Sequence, residues 1–209
     1  MKRTITVSGT GEARRPADLA TVTLGIEATA ASVAAAVAAA AEAMARLLEA
    51  LKSAGVDASD LQTARVSTQP QHEYPPNQPP RLTGYIAQNS VRLTIRDIER
   101  AGSIIDAGIS AAGDAGRLNG IAFGLSRPAE LAEEARTAAV GNAYANARTL
   151  AVAAGVTLGK VLRIQEVGSE SPQPRMLAMR MQAESARDTP IEAGETAVSV
   201  SVSVRYAIK

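Results

Sequence analysis

The sequence predicts an α+β fold in which tandem β-α-β-β units form antiparallel sheet packed by two long helices, with a shorter helix connecting the units. Three observations predict it. Strand-like alternation precedes a long alanine-rich segment twice; both segments end in the same tripeptide, Ala54-Gly55-Val56 and Ala154-Gly155-Val156; and each copy returns as a long strand of two-residue period. That period favours antiparallel strands with one solvated face.

The chain opens with a short strand, Ile5 to Ser8, after which Ser8-Gly9-Thr10-Gly11 reads as a turn or bulge and Arg14-Arg15 as the solvated tip of the turn into the next strand. Ala20, Val22, Leu24 and Ile26 then alternate with Thr21, Thr23, Gly25 and Glu27. The first long helix follows, with Val33, Val37, Met44, Leu47, Leu48 and Leu51 as its larger apolar residues. A strand near Leu61 to Thr68 leads to a proline-bearing loop, 70–84, and a return strand, Tyr85 to Ile95, with Val91, Leu93 and Ile95 on one face. Asp97 is placed to cap the shorter helix, whose stripe is Ile98, Ala101, Ile105, Gly108 or Ile109, and Ala112.

The second unit opens with Ile121, Phe123 and Leu125 alternating with Ala122, Gly124 and Ser126. Ser126 is the predicted cap of the second long helix, Pro128 fits its first turn, and Glu130, Glu133 and Glu134 suit the positive end of its dipole. Leu131, Ala135, Ala139, Ala143, Ala147, Leu150 and Ala154 form a narrow stripe of mostly small residues that lets a helix lie close to a sheet. Gly155 closes it in a left-handed conformation, Val161 to Glu166 re-enter a strand, and after a long loop, 168–196, the last strand sets Val198, Val200, Val202, Val204 and Tyr206 against Ser199, Ser201, Ser203 and Arg205. The expected organisation is a single domain, 1–209, with pseudo-repeats at about 19–96 and 118–208, because no Gly/Ser linker divides the two. Both long helices are expected on one face of a shared sheet, and both loops at equivalent corners.

Composition excludes several functions. With 22 basic and 21 acidic residues interspersed, and aromatics only 2% of the chain, there is neither the clustered charge nor the stacking surface of a nucleic-acid binder. Absence of cysteine excludes disulfides, thiolate catalysis and zinc-thiolate sites. Lys2-Arg3 is followed by the polar alternation TITVSGTGE, not by the apolar region of a signal peptide, so the chain as written is expected to be soluble and untargeted. The most apolar run, AASVAAAVAAAAEAMA, is interrupted by Ser32 and Glu42 and reads as a sheet-packed helix, so no transmembrane segment is expected.

Candidate chemistry is sparse. The single histidine, His72, adjoins Glu73 in a segment with too many prolines for a central strand, and one imidazole with one carboxylate supplies too few metal ligands; a solvated loop is expected. Glu130 and Glu134 share a helix face, which a helix N-terminus accommodates without any function. No nucleophile elbow, phosphate loop or dinucleotide fingerprint occurs. Met176, Met179 and Met181 place three thioethers within six residues, a soft donor set for Cu(I), although Arg175 and Arg180 beside them and the adaptability of methionine favour a contact surface. No catalytic, cofactor-binding or metal residue is assigned.

The ordered set Ile5-Thr6-Val7-Ser8-Gly9-Thr10-Gly11, Pro16-Asp18-Ala20, Gly84-Tyr85-Ala87-Asn89, Asn119-Gly120-Ile121-Phe123, Ala153-Ala154-Gly155-Val156-Leu158-Gly159-Lys160-Val161 and the closing Val-Ser-Val-Ser-Val strand resembles the SIMPL-domain family. The resemblance covers nearly the whole chain. It implies a β-α-β-β-based domain, usually exported, of the kind described among bacterial envelope proteins as periplasmic immunogenic or oxidative-stress defence proteins, able to form large ring-like homo-oligomers. The function expected is that of a non-enzymatic, self-assembling envelope protein linked to stress defence, the alternative being a small-ligand or Cu(I) binding protein that uses the 168–196 loop. The expected partner is further copies of the chain, in a homo-oligomer larger than a dimer. The location is periplasmic if a signal peptide has been removed and cytoplasmic otherwise.

Overall fold

In chain order the elements are β1 (Thr4–Pro16), β2 (Leu19–Ala30), α1 (Val33–Ser53), β3 (Leu61–Glu73), β4 (Arg81–Ile95), α2 (Ala101–Ala112), β5 (Gly116–Gly124), α3 (Pro128–Ala153), β6 (Leu158–Ser169), β7 (Gln173–Arg175) and β8 (Glu195–Ile208). The computed structural model describes residues 3–169, 173–175 and 191–209. They fall into two compact units: a first of residues 3–17, 124–169, 173–175 and 194–209, and a second of residues 18–123 and 191–193.

The second unit is a sheet of strand order β3-β4-β2-β5 with α1 and α2 packed on it. Ala20, Val22, Leu24 and Ile26 of β2 and Val91, Leu93 and Ile95 of β4 are buried against Ala36, Ala40, Ala43, Met44, Leu47 and Leu51 of α1 and Ala101, Ile104, Ile105 and Ala112 of α2. Each fully buried leucine contributes about 1.5–3 kcal/mol. Val33 and Val37, the first of the larger apolar residues of α1, are exposed, at 42% and 44%. The N-terminal half of α1 turns Ala36 and Ala40 to the core, which leaves the bulkier valines outside. Ser32 caps α1, its Oγ accepting from the Ala35 N–H at 3.2 Å.

The first unit is a sheet of order β1-β8-β6, with the short β7 also pairing β8, covered by α3. Val198, Val200, Val202, Val204 and Tyr206 of β8 pack on Leu131, Ala135, Ala139, Ala143 and Ala147. The helix stripe continues in four-residue steps to Ala151, so Leu150, expected on it, is exposed. The Ala-Gly-Val endings form the same cap in both long helices. The N–H of Val56 bonds the Leu51 carbonyl and that of Val156 the Ala151 carbonyl, both at 3.0 Å, with Gly55 at φ 91° and Gly155 at φ 64°.

Several expectations are corrected. There is no shared sheet but two. The strand that was to open the second repeat, β5, lies beside β2 in the second unit, where Ile121 and Phe123 pack on that core, and β1 takes the place beside β8. β1 is also longer than expected: Ser8-Gly9-Thr10-Gly11 is neither turn nor bulge but uninterrupted strand paired with Ser203 to Val200, and Arg14 and Arg15 lie within the same strand. Glycine serves close approach here, since a Cβ on Gly9 would lie 2.7 Å from the Ala143 Cβ and one on Gly11 would meet the backbone of Ala135 and Ala139. The N-cap of α3 is Arg127, not Ser126, because Pro128 occupies the first helical position. Asp97 precedes a single 3-10 turn, Ile98–Arg100, without a side-chain capping bond, and α2 starts only after it. The expected loop 70–84 is mostly a hairpin: Pro70 pairs Tyr85 and His72 pairs Leu82, which proline permits because β3 is an edge strand. The expected loop 168–196 contains β7 and the start of β8; its methionines, Met176, Met179 and Met181, lie outside the described residues.

Tyr206 is 3% exposed, with the Tyr144 ring 6.4 Å away. Burial, and secondarily Tyr144, raises its phenol above the ordinary value. The unfolded chain therefore ionises Tyr206 first, so the stabilisation is whole below about pH 10 and is lost as pH rises through the higher folded value. We expect the urea midpoint to fall more steeply above about pH 10 in the parent than in Tyr206→Phe. Parallel pH profiles would exclude this contribution.

Candidate functional site

The structure disperses the polar residues singled out in the sequence. His72 is exposed on β3 with Tyr74 as its ring neighbour at 6.5 Å, and Glu73 pairs in register with Arg81. Among the described residues no group of three or more His, Cys, Asp or Glu side chains is placed to hold a metal. Arg14 pairs with Glu12 at 2.9 Å, and that hydrogen bond raises its already high pKa further. Arg15 bridges to Glu130 and Glu134 on the first turns of α3, and Arg127 also reaches Glu130, at 3.2 Å. The acidic helix start is thus answered by two arginines, of which Arg15 ties it to β1. These pairs are exposed and contribute little to stability.

What the first unit does present is a contrast between its two sheet edges. Along β1, the Thr10 N–H donates to Asn142 Oδ1 at 3.2 Å and Asn146 Nδ2 donates to the Ser8 carbonyl at 3.0 Å, so two helix side chains occupy backbone groups that an incoming strand would need. The i,i+4 pair is itself joined, Asn146 Nδ2 to Asn142 Oδ1, at 3.3 Å. Sequence reasoning missed this brace. Its signal was two asparagines each one residue before a member of the alanine stripe, Ala143 and Ala147. Asn142→Ala is expected to cost about 1 kcal/mol and to speed amide exchange at Thr10 while the amides of β8 keep their protection; unchanged exchange at Thr10 would contradict the brace.

The opposite edge, β6, carries no such guard among the described residues. Val161, Leu162, Ile164 and Val167 are all exposed, Val167 by 64%, so apolar side chains stand on both faces of an edge strand. Its pairing with β8 shifts register three times. Such a strand joins backbone bonding capacity to apolar surface, the combination that recruits another strand. In the second unit the β3–β4 hairpin is likewise exposed at its end, where Tyr74 and Leu82 are open to solvent.

Residues 5–206 match the profile of the SIMPL family, described as protein of unknown function (DUF541). The chain belongs to the SIMPL family. This SIMPL chain is 36% identical, over 98% of its own length and 84% of the relative's, to the 26 kDa periplasmic immunogenic protein of Brucella melitensis biotype 1. It is 30% identical to the uncharacterized protein YggE of Edwardsiella ictaluri, over 81% of this chain and 71% of that one. To YggE of Escherichia coli K12 it is 28% identical, over 92% and 75%. Among the described residues of the SIMPL chain, no helix is long and apolar enough to cross a membrane.

Proposed function

We propose that this SIMPL chain is a non-enzymatic, self-assembling protein of the bacterial cell envelope, acting in stress defence. The observation that carries the reading is β6, an edge strand with Val161, Leu162, Ile164 and Val167 exposed, on a sheet whose other edge is braced by Asn142 and Asn146. The one unguarded edge of the first unit, among the described residues, directs association to β6, and the occupant is a second copy of the chain. Where β6 meets a different surface of the neighbouring copy the contact is head-to-tail, and such a contact forms a ring when the rotation closes. The envelope location draws support from the periplasmic name of the Brucella relative. The stretch expected as a loop, 168–196, begins within the end of β6, and its proline and methionine content suits an arm that covers a neighbour. Light scattering tests the proposal on three proteins: the intact chain, Ile164→Lys, which puts a charge on the open edge, and a variant with residues 172–186 replaced by a short Gly-Ser linker. The expected result is a mass above a dimer for the intact chain and a smaller mass for both variants. A monomeric mass for the folded intact protein at micromolar concentration overturns it.

A second reading rests on the thioethers of Met176, Met179 and Met181 as a Cu(I) donor set. Titration of the reduced protein against a Cu(I) chelator is expected to show binding that the triple Met→Leu variant loses. An affinity unchanged in that variant ends this reading.

A further inference from the structure

The outer face of the second unit's sheet carries a groove of about 370 Å³ whose walls are charged and whose floor is small. Gly25 on β2 and Ser90 on β4 face each other in register and form the floor. Across β3, Arg65 stands opposite Ser90, about 5 Å away along the strand-to-strand direction. On the β5 side the Asn119 amide nitrogen lies 2.6 Å from where a Gly25 Cβ would be, so the missing side chain is what admits it. Two residues along β4 from Ser90, Arg92 stands opposite Thr23, on the same face and about 7 Å further on.

The fourth wall is Glu27, which faces Gln88. Its carboxylate is already engaged: Gln88 Nε2 donates to Oε2 at 2.9 Å and Arg117 Nη2 to Oε1 at 3.4 Å. Arg117 is held in turn by the carbonyls of Asp114 and Gly116, at 2.7 and 2.8 Å. Arg65 and Arg92, by contrast, make no ion pair or side-chain hydrogen bond among the described residues. Arg65, Arg117 and one ion-paired carboxylate therefore line the groove together with a hydroxyl and an amide, and Arg92 stands just beyond it, at the next position on the same face. Donors arriving from separate strands suit a tetrahedral oxyanion better than a planar carboxylate, which one arginine fork satisfies alone.

We propose that this groove binds a phosphoryl group, with Arg65 and Arg92 as its charged donors and Ser90 and Asn119 as its neutral ones. Glu27, pinned by Arg117 and Gln88, sets the limit of the site and leaves it open to a ligand whose phosphoryl end is compact. The group can belong to a soluble phosphomonoester or to a lipid headgroup. The proposal does not depend on self-assembly.

The test is calorimetric titration of the full chain with inorganic phosphate and with glycerol 3-phosphate, at ionic strength held constant with potassium chloride. Cosedimentation with phosphatidylglycerol vesicles, against phosphatidylcholine vesicles, runs in parallel. Saturable binding is expected, weakened about tenfold by Arg65→Ala or Arg92→Ala and abolished in the double variant, whose two exposed positions leave the core untouched. Arg163→Ala, on β6, removes an equal charge elsewhere and is expected to change nothing. Vesicle binding lost in the double variant identifies the headgroup as the source; saturation by the soluble probes alone identifies a free phosphomonoester. Equal losses from Arg65→Ala and Arg163→Ala would show a mere net-charge effect and overturn the proposal, as would absence of saturable binding to every probe.

Discussion

Gly11→Val is expected to destabilise the first unit by about 3 kcal/mol or more, the upper end of overpacking costs. Gly11 is buried on the inner face of β1, opposite Val200, and an added Cβ would meet the backbone of Ala135 and Ala139. Backbone in the middle of a helix cannot step aside as a side-chain tip can. Relief therefore requires α3 to lift off β1, which would uncover the alanine stripe and break the Thr10–Asn142 and Ser8–Asn146 bonds together. Gly141→Ala is the matched control. It is exposed on the same helix, its Cβ would have nothing within 4 Å, and it is expected to stabilise by roughly 0.5–1 kcal/mol through helix propensity. Urea denaturation, followed by far-ultraviolet dichroism, separates the two. A Gly11→Val protein as stable as its parent would mean that α3 does not lie on β1 at this distance.

Leu47→Ala is expected to cost about 2–5 kcal/mol, and to do so in the second unit. Leu47 is 0% exposed on α1, within a cluster that joins β2, β4, α1 and α2. The chain has one Phe and no Trp, and the buried members of the cluster around Leu47 are aliphatic apart from Met44. A cavity left there is lined by alanine and branched residues with little freedom to close it, which places the cost toward the high end. Val37→Ala on the exposed face of the same helix is expected to change stability by less than about 0.5 kcal/mol. If the two substitutions cost the same, the face assignment of α1 is wrong. That comparison is informative because Val37 and Leu47 both stand among the larger apolar residues of the helix in the sequence.

Whatever depends on neighbours a few residues away is legible in the chain alone. Two-residue alternation names the inner faces of β2, β4 and β8, since successive strand side chains must point to opposite sides whatever the strand pairs with. The Ala-Gly-Val endings name the helix stops, since the cap bonds run from Val56 to Leu51 and from Val156 to Ala151 inside one turn. Which strand lies beside which was settled by long-range packing. Alternation gives a strand a face but no partner, so the places of β1 and β5 could not be read, and with them went the true nature of Ser8-Gly9-Thr10-Gly11, whose glycines answer to a helix more than a hundred residues away. The candidate sites follow the same division. The exposed apolar residues of β6 are visible in the sequence, but that β6 is an edge is not. Arg65, Arg92 and Arg117 are scattered along the chain, and only the registers of β3, β4 and β2 and the position of β5 bring Arg65 and Arg117 around Gly25 and Ser90 with Arg92 at the next same-face position. Register is a long-range property, because it is settled by the packing of the opposite, buried face.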